Sequence, residues 1–85
     1  MPAEQSATIT IKDFKYSGAI SVKAGSTVTV RNDDSVTHTV TADHGGAFDV
    51  TIPGGTSKTF MAPKAGSYPY HCTYHSNMHG TLKVS

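Results

Sequence analysis

Apolar and polar residues alternate along most of this chain, which is the period of strands with one buried face. The first such run, 7–12, places Ile9 and Ile11 on one side, with Phe14 continuing near its end. A turn is expected at 16–18, from Tyr16-Ser17-Gly18, and a short strand at 19–23 with Ile20 and Val22 inward. Strands follow at 27–32, 38–42, 48–52, 56–61, 67–72 and 81–84. Between them lie Gly, Pro, Asp and Ser clusters, whose side chains and backbone freedom suit turns. In 67–72, Tyr68, Tyr70 and Cys72 share one face and His71 lies on the other. No segment carries a helical period. Eight short strands with regular turns predict an all-β domain, a sandwich or barrel, with residues 1–85 as a single domain.

Strand alternation also sorts the loops. If consecutive strands reverse direction, residues 72–80 share one end of the sandwich with loops 14–19, 32–37 and 52–55. Loops 23–26, 43–47 and 62–66 occupy the opposite end. His38 opens its strand directly after loop 32–37, so topology brings it to the same end as Cys72, His75 and Met78. His44 goes to the far end.

Composition limits the function. Ile, Leu, Val and Phe are few, as in disordered chains, but the net charge is only +1. Disorder usually pairs low hydrophobicity with high charge, and the residues replacing Leu are largely Val, Thr and Tyr, which favour strands. A domain of this size buries about 60–65% of its unfolded surface, so a bound metal would add stability that the core lacks. There is no basic run, which argues against nucleic acid. No apolar stretch approaches the roughly 20 residues of a membrane span. The start, Met1-Pro2-Ala3-Glu4-Gln5, lacks the charged-then-apolar order of a signal peptide. This leaves a cytosolic protein or a mature form beginning with an added Met. The single cysteine, Cys72, excludes a disulfide framework.

The chemistry is concentrated in Tyr70-His71-Cys72-Thr73-Tyr74-His75-Ser76-Asn77-Met78-His79-Gly80, which contains Cys-x-x-His-x-x-Met. Thiolate and thioether are soft donors and imidazole is intermediate, a set that selects copper. Two His and one Cys in a trigonal arrangement, with a distant axial Met, define a blue-copper site. Cys72, His75 and Met78 are close enough in sequence to wrap one ion, and His38 supplies the remaining donor. His71 points to the opposite face and reads as a surface strand residue. His79 could compete with Met78 for the axial place. His44 and Met61 read as solvated or filler positions, and Asp33, Asp34 and Asp43 as turn residues. A Cys72–His75 thiol-protease pair lacks an orienting third group and an oxyanion site. Zinc on the same His and Cys ligands would be adventitious.

The residues Gly25-Ser26-Thr27-Val28-Thr29-Val30, His38-Thr39-Val40 and Ala65 to Thr73, with His75, Met78 and Gly80, resemble cupredoxins of the amicyanin and plastocyanin type. The resemblance covers nearly the whole chain. It implies an eight-stranded Greek-key sandwich, one copper held by His38, Cys72, His75 and axial Met78, and single-electron transfer outside the cytoplasm. It implies no enzymatic activity of its own. Amicyanins carry Pro where Tyr74 stands. Tyr74 keeps its N–H, which is expected to hydrogen-bond the Cys72 sulfur alongside the N–H of Thr39. His75 would serve as the electron port. Gly18, Ala19, Val36, Ile52, Pro53, Tyr74 and Asn77 would surround it as a weakly polar patch for transient protein redox partners, and the chain is expected to be a monomer. A copper carrier or store without redox duty is the alternative. A fragment of a copper oxidase or nitrite reductase would need His-x-His pairs, which the chain lacks.

Overall fold

The computed structural model describes residues 6–18 and 21–85. They form nine strands: β1 (Ser6–Lys12), β2 (Lys15–Gly18), β3 (Ser21–Val22), β4 (Thr27–Asn32), β5 (His38–Ala42), β6 (Asp49–Ile52), β7 (Ser57–Met61), β8 (Gly66–Cys72) and β9 (His75–Val84). One sheet has the order β2-β1-β4-β7 and the other β3-β9-β8-β5-β6. β1 runs parallel to β4 and β3 parallel to β9, and all other pairings are antiparallel. The protein is therefore an all-β sandwich, as its alternating pattern requires.

Three elements depart from expectation. The first turn lies at Asp13-Phe14, closing the pair Lys12↔Lys15, and 16–18 is part of a strand. Gly18 does take positive φ (103°), but within β2, whereas the turn itself is made by two non-glycine residues of positive φ, Asp13 (53°) and Phe14 (61°). Of the strand expected at 19–23, Ser21–Val22 is observed and Ala19 and Ile20 lie outside the described residues. The last strand is longer than expected and reaches back to His75, so only Thr73 and Tyr74 connect it to β8.

The alternation of direction holds once β2 and β3 are taken as one run from the site end to the far end. Ile9, Ile11, Val28 and Val30 face Val40, Ile52, Tyr70, Leu82 and Val84 across the interior. Each such side chain contributes about 1.5–3 kcal/mol on burial. Phe48 stacks on Phe60, with ring centroids 4.7 Å apart, and closes the core between the sheets.

Candidate metal centre

Four structural features converge at one end of the sandwich. His38 opens β5, Cys72 closes β8, His75 opens β9, and Met78 follows within β9. The pairing of β8 with β9 explains why they meet. His71 opposes His79 and Cys72 opposes His75, so residues 76–78 have no counterparts on β8. This wide bulge turns the strand and re-aims its side chains, as bulges beside functional sites commonly do.

The Cys72 Sγ lies 3.4 Å from His75 Nδ1 and 3.8 Å from His38 Nδ1. All three donor atoms lie within 4.8 Å of one another, the only such group among the described residues. Nitrogen and sulfur donors bonded to one ion at 120° would stand about 3.7 Å apart, given ordinary bond lengths of ~2.0 and ~2.3 Å. The spacing thus suits a single ion with little rearrangement. His38 and Cys72 are fully buried and His75 is half-buried, which makes His75 the ligand candidate nearest solvent. Met78 is buried in the core cluster, whereas His79 is exposed. Consecutive strand residues face opposite sides, so Met78 takes the inner position and His79 the outer. A thiolate, two imidazoles and a thioether fit copper better than any hard cation.

Surrounding groups hold this set in place. The Thr39 amide donates to Cys72 Sγ at 3.4 Å, as expected. Thr39 Oγ1 accepts the Thr73 amide at 2.8 Å, which pins the turn between β8 and β9. The Tyr16 hydroxyl donates to the Thr39 carbonyl. Burial pushes the Tyr16 phenol far above its ordinary pKa, with smaller contributions from Cys72 and Tyr70.

Sequence reasoning missed Asp34. Its Oδ2 accepts His38 Nε2–H at 2.8 Å and the Phe14 amide at 3.0 Å, and its Oδ1 accepts the Asp13 amide at 2.7 Å. The Phe14 amide, first, then the Asp13 amide and His38 hold its carboxyl below the usual range, against the opposing effect of desolvation. Because a carboxylate only accepts, Nε2 of His38 carries the proton and Nδ1 is left as the donor facing the sulfur. The spacing Asp-x-x-x-His was the available signal. Phe14 was also missed as a site residue. Its ring meets His38 and His75 edge-on, with centroids 5.1 and 4.7 Å away. Asn32, buried, donates to the Val36 and Ile52 carbonyls at 2.8 and 2.9 Å and ties the two neighbouring loops together.

Several expectations are corrected. Ile52 is fully buried, because its alternation in β6 turns it into the core opposite His38, so it is not a surface contact. Gly18 pairs with Ile9, back along β1 from the site end, and Ala19 lies outside the described residues. The sulfur's hydrogen-bond partners among the described residues are Thr39, His38 and His75, and the Tyr74 amide is not one of them. The two-residue turn is anchored through Thr73 instead. Val36, Pro53, Tyr74 and Asn77 are exposed. His71 sits on the outer face and contacts Asp43, as its place in the alternation required.

A family model for the cupredoxin-like domain matches residues 2–84. The chain belongs to the cupredoxin-like family. Among solved structures it is similar to amicyanins. The reduced state of one amicyanin mutant matches with a TM-score of 0.80 and 29% identity, over 94% of this chain and 82% of that one. A reduced Cu(I) form at pH 4 of another mutant gives 0.78 and 27%, over 99% and 86%. An oxidized mutant gives 0.78 and 26%, over 99% and 86%. No curated protein matches the chain.

Proposed function

We propose that this protein is a blue-copper electron carrier that would hold one copper ion through His38 Nδ1, Cys72 Sγ, His75 Nδ1 and the Met78 thioether. The observation that carries this reading is the preset triangle of Cys72 Sγ with two Nδ1 atoms, at 3.4 and 3.8 Å. Bound copper supplies one-electron chemistry between its two common oxidation states. The protein's part is to hold the donors in one geometry, so that little moves when an electron arrives. Asp34 keeps the His38 ring oriented, Thr39 donates to the sulfur, and Phe14 covers both imidazoles.

A redox protein docks, on this reading, at the end of the sandwich where His75 approaches the surface. Phe14, Val36 and Tyr74 expose apolar surface there, beside Pro53 and Asn77. With a net charge of +1, the contact gains little from long-range steering and is small and transient. Val36→Lys should slow electron exchange and leave the visible spectrum unchanged. The likeness to amicyanins supports a role outside the cytoplasm, and no helix among the described residues is long and apolar enough to cross a membrane.

The deciding test is visible absorption and EPR after one equivalent of Cu(II), with Cys72→Ala beside it. An intense blue band and narrow copper hyperfine splitting, both absent in Cys72→Ala, are expected. A pale spectrum unaffected by the substitution would point instead to a copper carrier or store with exposed ligands.

A further inference from the structure

The face of the five-stranded sheet turned away from the copper centre carries a row of polar groups in register. Asp49 opposes Thr41, Thr41 opposes His71, and His71 opposes His79, across β6, β5, β8 and β9. Cys72 and Met78 are buried on the inner face, so His71 and His79, their chain neighbours, stand on the outer one. Residues directly opposed on antiparallel strands have Cβ atoms about 4.5–5.5 Å apart. Two imidazoles at that separation can converge on one ion.

A second group prepares one of them. Asp43 Oδ1 lies 2.6 Å from His71 Nδ1. Asp43 is itself tethered, because its amide donates to the Pro69 carbonyl at 2.9 Å. A carboxylate that accepts Nδ1–H fixes the ring's tautomer, raises its basicity and leaves Nε2 as the donor, the pattern found behind metal-bound histidines. Beyond it, Thr41 Oγ1 donates to Asp49 Oδ1 at 2.9 Å, so this second carboxylate is held in the same row.

We infer that the outer face of the five-stranded sheet carries a second metal site, a surface chelate for a divalent first-row ion formed by His71 and His79, with Asp43 orienting His71. Two imidazoles without a thiolate favour Cu2+ first and Zn2+ after it. The ion-free chain holds only His38, Cys72 and His75 already converged among its described residues. The outer site therefore closes when the exposed His79 side chain gives up the contact it makes in the ion-free chain. That exchange makes it the weaker site, so it fills second and exchanges freely. Its ligands leave open positions for water, and its Cu(II) spectrum is ordinary rather than blue.

The test uses protein already carrying one equivalent of copper. A second equivalent of Cu(II) should add an EPR signal with wide hyperfine splitting and nitrogen ligation, while the blue band stays unchanged. His71→Gln and His79→Gln should each abolish that second signal and lower the bound copper from two ions per chain to one. Asp43→Asn should weaken it about 10–100-fold, and His44→Gln should leave it intact. Undiminished second-ion binding in either His71→Gln or His79→Gln, or no second ion bound at all, would overturn the inference. NMR of the unsubstituted protein checks the same point without relying on variants. With diamagnetic Ag+ in the inner site in place of copper, substoichiometric Cu(II) should broaden the His71 and His79 imidazole signals together; broadening confined to His44 would also overturn it. The inner site is read separately, through the blue band formed by the first equivalent.

Discussion

The Asp34 carboxylate accepts the Nε2–H of His38 at 2.8 Å, and through the same two oxygens it holds the turn that places Phe14 against the imidazoles. One side chain thus fixes the tautomer of a buried ligand and the position of the ring beside it. Neither the Nε2–H of His38 nor the two amides has another acceptor on the described residues. Asp34→Ala would leave all three donors to compete for whatever water can enter. Supporting groups of this kind contribute about 10–100-fold in metal affinity. We expect a copper affinity loss of that size for Asp34→Ala, measured by competition with a chelator. The copper-free protein should lose about 1–3 kcal/mol on thermal unfolding, because the buried Nε2–H of His38 is left unpaired. Asp34→Asn keeps an acceptor oxygen and should lie between. An unchanged copper affinity in Asp34→Ala would remove Asp34 from the site.

The turn that Asp34 clamps is under backbone strain. Asp13 and Phe14 have φ of 53° and 61°, and a two-residue hairpin loop with both φ positive favours glycine or asparagine. Neither position holds one. Asp13→Gly keeps the amide that Asp34 needs and relieves one of the two strained residues. It should stabilise the fold by about 0.5–1 kcal/mol, which raises Tm by roughly 2–8 °C for a domain of this size. Copper affinity should not change. A fall in Tm would show that the Asp13 side chain contributes more than its conformation costs.

Gly80 is required by Tyr70. The two residues oppose each other across β8 and β9, and a Cβ on Gly80 would lie 2.5 Å from Tyr70 Cζ. The ring cannot slide freely, because it also meets Tyr16 edge-on at 4.8 Å. Gly80→Ala should therefore cost about 1–3 kcal/mol in denaturant unfolding, as overpacking does. It should cost much less when introduced into a Tyr70→Ala background. Equal costs in the two backgrounds would mean that the ring is not what excludes the side chain.

Much of this architecture was legible in the chain. Period-two alternation put Ile9 and Ile11 on one face and Val22 inward, and all three lie in the core; reversal of strand direction brought His38 to the end that holds Cys72. The Cys-x-x-His-x-x-Met spacing named the donors, because soft ligands at short separation admit few other uses. What escaped was set by tertiary contacts that leave no local trace. Asp34 resembled any other turn aspartate, since its role depends on His38 and on a hairpin some 20 residues away. The Asp13-Phe14 turn lacks glycine, and only the Asp34 carboxylate explains why it forms there. Ile52 was read as part of the surface patch around His75, although its place in β6 turns it inward. The bulge over residues 76–78 could not be read from composition, as it exists only in the pairing of β9 with β8.

Two tyrosines, Tyr70 buried and Tyr16 partly buried against it, make the fold sensitive to alkali. Burial pushes the Tyr70 phenol up to about 12, and the Tyr16 phenol further still, against about 10 in the unfolded chain. The folded protein therefore keeps both protons at pH values where the unfolded chain has released them. With folded pKa values above the unfolded ones, the stabilising contribution is complete below pH 10 and is lost as pH rises from there through 12. Tm should hold steady up to about pH 9.5 and then fall with increasing slope. Tyr16→Phe separates the cause. It deletes the hydrogen bond to the Thr39 carbonyl, so near neutral pH the variant should be less stable by about 0.5–1.5 kcal/mol. It also removes one of the two shifted phenols, so its stability should decline less steeply above pH 10. The gap between the two proteins should then narrow as pH rises. Parallel declines would locate the alkaline loss in groups other than these tyrosines.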